Sequence, residues 1–216
     1  MSAYFYREVP AYQMSKFCAV RNTLDNLANI LNLVEIINTS SHCRVKDERS
    51  GFDVAVFSGE YRRILVKKED GYFSMAIPFQ VVDSGEIISF NFDSIGEEVS
   101  GRFVSMMRSA IQTLQGNSHS HEDVIISFME NYSLDLQDAN RYYDAFASLI
   151  AEDHGYFRFD DDINSANGDI HPRYHFDIFF KNNTAIKIGY DRVADVDCFY
   201  SLIDSSKPKH YLSLQK

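Results

Sequence analysis

Apolar side chains at Phe17, Val20, Leu24, Leu27, Leu31 and Val34 recur in steps of three and four, the spacing that lines one face of an α-helix. The pattern predicts a helix over 10–38, closed by the polar run Asn38-Thr39-Ser40-Ser41. The six positions also fill a and d of a heptad for about two and a half repeats, short of the three to four that define a coiled coil. Ile30, Leu33, Ile36 and Ile37 widen the stripe. That width favours a core-packed helix, with a homodimer through this helix as the alternative.

From 42 to 94 the period falls to two. Phe73, Met75, Ile77, Phe79 and Val81 alternate with mostly polar or small residues, and Ile88, Phe90 and Phe92 repeat the pattern, as half-buried strands do. Ser50-Gly51, Ser58-Gly59-Glu60, Glu69-Asp70-Gly71 and Asp83-Ser84-Gly85 make short polar connections, so an antiparallel meander of about four or five strands is expected. Pro78 lacks a backbone donor, which places its strand at an edge or a bulge.

Helical spacing returns over 98–154. Val99, Phe103, Met106, Ala110 and Leu114 share one face, and Val124, Ile125, Phe128 and Tyr132 another. Ser120 with Asp123 reads as a capping box, and Asp135 with Asp138 opens a third helix with Ala139, Tyr142, Phe146, Leu149 and Ile150 inward, stopped by Gly155. The segment 155–216 reads as strands at Tyr156–Phe159, Tyr174–Phe180 and Ala185–Tyr190, with 197–203 either strand or helix. Within it, Phe176-Asp177-Ile178-Phe179-Phe180 and Ile186-Lys187-Ile188 echo Phe52-Asp53-Val54-Ala55-Val56-Phe57 and Ile64-Leu65-Val66-Lys67. Both read as hairpins, and convergent patterning explains the echo better than duplication. The whole is an α+β chain: a long N-terminal helix, an antiparallel sheet of about six to eight strands and a central helical segment, in one domain over 1–216 because no Pro-, Gly- or Ser-rich linker divides it.

With 45% hydrophobic and 24% charged residues, disordered, collagen-like and disulfide-scaffold classes are excluded. Seventeen Phe and 13 Tyr without Trp read as filler between a sheet and its helices. Twenty-one basic against 31 acidic side chains give a net charge of −10, which disfavours nucleic acid as a broad-surface ligand. Cys18, Cys43 and Cys198 are widely spaced, as reduced thiols of a cytoplasmic protein are. Neither a secretion signal nor a membrane span is expected.

The densest polar constellation is Asp160-Asp161-Asp162, Asn164, Asn167, Asp169, His171, Arg173, His175 and Asp177. Alternation places His171, Arg173, His175 and Asp177 on one face of an extended strand, where imidazole and carboxylate can share one ion. Candidate metal ligands are Asp162, Asp169, His171 and His175, with His171, His175 and Asp177 the catalytic candidates. The competing reading is the solvated side of an amphipathic strand, since Tyr174, Phe176 and Ile178 form its apolar side. An EF-hand fails, because Ser165 stands where that loop needs Gly and His171 where it needs Glu. Each hairpin offers an Asp and a Lys, Asp53 with Lys67 and Asp177 with Lys187, but not the second acid of a two-metal nuclease motif. His119 and His121 at a helix start read as a solvated cap. Arg62, Arg63, Lys67 and Lys68 form a candidate binding cluster, flanked by Glu60, Glu69 and Asp70. Nucleotide-loop, dinucleotide, serine-hydrolase and zincin motifs are missing.

His171-Pro172-Arg173-Tyr174-His175, then Ile186-Lys187-Ile188-Gly189 and Phe199-Tyr200, resembles the C-terminal part of uncharacterised bacterial proteins of mobile elements and defence islands, toxin-antitoxin pairs included. The resemblance implies a bacterial cytoplasmic component of a conflict system and singles out His171 and His175. The expected function is a protein-binding or regulatory component of such a system, an antitoxin, immunity or defence subunit, not an enzyme by preference. An acidic face meeting a basic partner motivates it. The alternative is a metal-dependent hydrolase or nuclease built on the Asp/His cluster with a divalent metal. Without that metal no cofactor is expected.

Overall fold

A computed structural model of the chain describes residues 1–46, 51–116, 120–152, 154–168, 170–179 and 185–209. In chain order the elements are β1 (Ser2–Tyr6), α1 (Ala11–Met14), α2 (Thr23–Thr39), a 3-10 turn (Ser41–Cys43), β2 (Arg44–Val45), β3 (Val54–Ser58), β4 (Arg63–Lys68) and β5 (Gly71–Ala76). They continue with β6 (Gln80–Asp83), β7 (Ile88–Phe92), β8 (Glu97–Glu98), α3 (Gly101–Gln115), α4 (His121–Tyr132), α5 (Leu136–Ala151), β9 (Phe157–Asp161), β10 (Tyr174–Phe179), β11 (Ala185–Tyr190) and α6 (Val196–Ile203). The α+β class holds. Eight strands form an antiparallel sheet in the order β11-β10-β9-β5-β4-β3-β1-β2, and β6-β7-β8 form a second, small one.

The chain divides into two compact units, Met1–Tyr6 with Val45–Ala76 and Gly155–Lys216, and Arg7–Arg44 with Ile77–His154. In the first, one face of the large sheet packs on α6. Phe5, Phe57, Leu65, Phe159 and Phe199 are buried there together, each contributing about 1.5–3 kcal/mol of apolar burial. Tyr72 meets Phe199 at 4.9 Å and Phe57 meets Tyr200 at 5.1 Å between ring centroids. Asp195 starts α6 by accepting from the Cys198 amide at 2.8 Å, which settles 197–203 as helix.

In the second unit α2 is buried on nearly every side, with Leu27, Ile30, Leu31, Leu33, Val34 and Ile36 inaccessible. The stripe that also suited a dimer is covered by the chain itself. The expected helix over 10–38 is broken: α1 is one turn long and α2 starts only at Thr23, where Asn22 and Asp25 form a reciprocal capping box. Phe17 and Val20 are buried from the connection. Asn29 holds that connection by accepting from the Cys18 amide and donating to the Cys18 carbonyl, and Asn32 donates to Gln13 O at 3.0 Å. Ser120 with Asp123 and Asp135 with Asp138 cap α4 and α5 as their spacing foretold.

Among the described residues, strands between 42 and 94 number six and are shared between two sheets, more than the single meander foresaw. Pro78 lies between β5 and β6, in neither. The N-terminal strand β1 carries no signal strong enough to be read alone, yet it pairs with β3 from Ser2 opposite Ser58 to Tyr6 opposite Val54.

Candidate metal centre

Three adjacent strands, β9, β10 and β11, set the site by register. Asp160 stands opposite His175, Arg158 opposite Asp177, and Asp177 opposite Lys187. Side chains alternate between the faces of a sheet, so these five project from one face. Phe157, Phe159, Tyr174 and Phe176 project from the other into the α6 core. Gly71 of β5 faces Asp160. Its φ of +153° and a Cβ position 1.9 Å from Phe159 O mean that only glycine fits, and its absent side chain lets β5 and β9 close up.

Asp160, His175 and Asp177 each offer one ligand atom, all within 4.8 Å of one another. The His175 side chain is 1% exposed and that of Asp177 4%. His175 Nε2 lies 3.5 Å from Asp160 Oδ2 and 3.8 Å from Asp177 Oδ1. Its Nδ1 is 2.8 Å from Pro172 O. A carbonyl only accepts, so Nδ1 carries the proton and donates, which leaves Nε2 with its lone pair free to accept or to ligate. Lys187 Nζ donates to that lone pair at 2.7 Å and lies 2.8 Å from Asp177 Oδ1. Arg158 ties both acids, Nη2 to Asp177 Oδ2 and Nε to Asp160 Oδ2, each at 2.7 Å.

These neighbours split the two carboxyls. Burial pushes Asp177 up, but the cations of Lys187 and Arg158 outweigh it and hold its pKa below the usual carboxylate value. For Asp160 burial prevails, aided by the negative charge of Asp177 against the pull of Arg158, and its pKa rises. Burial disfavours the Arg158 cation too, yet Asp160 and Asp177 raise its pKa. One acid stays firmly ionised beside another that gives up its charge more readily.

The connection after β9 folds over this face. Asp162 N donates to Arg173 O at 2.9 Å, and Arg173 grips Asp161 through Nε at 2.6 Å and Nη2 at 3.2 Å. The Pro172 ring rests on Gly189, where a Cβ would come within 3.0 Å of its Cγ. The ring of His171 stands edge-on to His175, centroids 5.1 Å apart.

The structure therefore rearranges the candidates. His175 and Asp177 share a strand face as expected, but β10 begins at Tyr174. His171 and Arg173 precede it, and Arg173 turns to Asp161. The row is not a wet surface at its centre, because His175 and Asp177 are buried. Asp162 pairs with His171 at 3.3 Å, outside the trio, and Asp169 lies outside the described residues. Asp160 and Lys187 were within the sequence patterns but unassigned as ligand and partner. Register counting across β9 to β11 is the signal that finds them. His119 lies outside the described residues, and His121 pairs with Glu122 at 2.7 Å.

Of the basic cluster, Arg63 is directed inward. Its Nε donates to Ser74 Oγ and its Nη2 to Gly155 O, with the guanidinium 5.1 Å from the Phe157 ring. Burial pulls its pKa down to about 10. Lys67 is exposed and lines a cavity of about 400 Å³ with Tyr72, Asp195 and Asp197. Arg62 and Lys68 are half-buried, so the four do not make one basic face.

The donor set fits a divalent cation. Two carboxylate oxygens and an imidazole nitrogen suit first-row ions, and His175 Nε2 stands 3.5 and 3.8 Å from the two carboxylates, so a modest closing of the trio would bring all three onto one ion. The Nδ1–H bond to a backbone carbonyl orients the imidazole as metal-bound histidines are oriented. No family model, curated protein or solved structure matches the chain. Among the described residues, no helix is long and apolar enough to cross a membrane.

Proposed function

We propose that Asp160, His175 and Asp177 hold a divalent cation and that the chain is a metal-dependent hydrolase of phosphoester bonds. The observation that carries this reading is the convergence of three ligand atoms within 4.8 Å, two of them on buried side chains and the third on half-buried Asp160. An ion held there would activate a bound water and polarise a phosphoryl oxygen. Arg158 and Lys187, each about a third exposed, supply the positive surroundings that a phosphate needs. His175 is a ligand in this scheme, not a general base, since its one free lone pair is committed.

The preference for a non-enzymatic component gives way to this reading because the polar row, taken as solvated, is buried at its centre. The second reading is a protein-binding component, for which Ile163 and Ile170, 62% and 84% exposed on the connection after β9, are candidate contact residues.

Calorimetric titration with Mn²⁺ and with Zn²⁺, paired with hydrolysis of bis(p-nitrophenyl) phosphate and of single-stranded DNA, tests the proposal. The wild-type chain should bind one equivalent and hydrolyse only when loaded. Asp177→Asn, checked for folding by circular dichroism, should lose both. Wild-type protein that neither binds metal nor cleaves either substrate contradicts it, and metal binding without hydrolysis reduces it to a cation-binding centre.

A further inference from the structure

We propose that Lys187 is a resident counter-ion that the metal must displace, so that this lysine sets the affinity of the centre and comes free beside the ion only once metal is bound. The inference rests on the metal reading of the site. Its core is a matter of lone pairs. With Nδ1 committed as donor to Pro172 O, His175 has a single acceptor position at Nε2, and Lys187 Nζ occupies it at 2.7 Å. A nitrogen with one lone pair accepts a proton donor or ligates a metal, never both. The same ammonium lies 2.8 Å from Asp177 Oδ1, the second ligand atom. Lys187 thus stands where the cation belongs.

Charge points the same way. Two carboxylates, Asp160 and Asp177, are balanced by Arg158 and Lys187. A dication added without a departure leaves two uncompensated positive charges around an imidazole that is almost fully enclosed, a costly arrangement.

The fold decides which cation leaves. Arg158 sits on β9, between β5 and β10, and is fixed to both acids at 2.7 Å. Lys187 sits on β11, the edge strand, with its side chain about a third exposed on a long flexible stem. It can swing into water without disturbing the sheet, as lysine side chains readily do. The displaced ammonium stays tethered at the rim and is available to an anionic group presented to the ion, which couples metal loading to recognition of an anionic substrate.

Calorimetry with Mn²⁺ on wild type and Lys187→Met tests this. Loss of the competing ammonium should tighten the metal by at least about tenfold, the reverse of what removing a supporting residue does. Equal or weaker binding by the variant, with the wild type binding, overturns the displacement and leaves the metal reading standing. Binding by neither protein refutes the metal reading and the displacement with it. Amine acetylation of the wild-type chain, read by mass spectrometry, gives a second measure free of any folding defect in the variant. Modification of Lys187 should rise several-fold on adding Mn²⁺, and an unchanged rate under saturating metal contradicts displacement.

Discussion

Two hairpins of the same sheet carry the same pair of residues and do different things with it. In β3–β4, Lys67 N donates to Asp53 O at 2.8 Å, one step beyond the Val54–Val66 pair. In β10–β11, Asp177 stands directly opposite Lys187. Asp53 is half-buried and Lys67 exposed, on the face that carries Leu65 and Tyr72. Asp177 is buried on the opposite face and is joined by His175 from its own strand and by Arg158 and Asp160 from β9. The difference teaches that an Asp facing a Lys is not a site. The third strand sets the two apart, adding a second acid and a second cation at the register that gathers them into one cluster.

The sharpest way to break that contrast is to neutralise each aspartate in turn. Removing one partner of a buried charge cluster costs about 3–5 kcal/mol, and the partial exposure of Lys187 and Arg158 discounts this to about 2–3 kcal/mol for Asp177→Asn. Asp53→Asn should cost about 0.5 kcal/mol or less. Urea denaturation of both variants measures the gap, and equal losses would show that the neighbours on β9 add nothing.

A smaller effect sharpens the comparison through pH. The pKa of Asp177 is held below its ordinary value of 3.8, so its contribution to stability is present above that value and fades as pH falls through the lower, folded-state pKa. Asp160 is raised above 3.8 and acts with the opposite sign, its contribution lost as pH climbs through the raised value. Asp177→Asn should therefore flatten the acid limb of stability against pH, whereas Asp160→Asn should remove a loss on the rising side. Denaturation midpoints followed from acid to neutral pH read both slopes, and identical slopes in the two variants would refute the split.

How much of this was legible without coordinates depended on how local the cause was. Ser120 with Asp123 and Asp135 with Asp138 announced their helices because a cap is made within four residues. Strands β10 and β11 were read from alternation to within a residue, and the α+β class followed. The break before α2 was hidden, because the preceding segment is held against α2 by bonds from Asn29 to Cys18 and from Asn32 to Gln13, between residues 11 and 19 positions apart. Strand β1 was missed because its partner β3 is distant in sequence. At the site, His175 and Asp177 stood out by spacing. Asp160 and Lys187 join them only through the order of β9, β10 and β11, and alternation alone could not distinguish a wet face from a buried one.

The claim beneath all of this is that one cation belongs among Asp160, His175 and Asp177. Anomalous diffraction from crystals of the wild-type chain soaked in Mn²⁺ tests it most directly. The account predicts a single strong peak within bonding distance of His175 Nε2 and of an oxygen from each aspartate, with the Lys187 ammonium moved off Nε2. A map with no peak there, and Lys187 still hydrogen-bonded to His175, would contradict it.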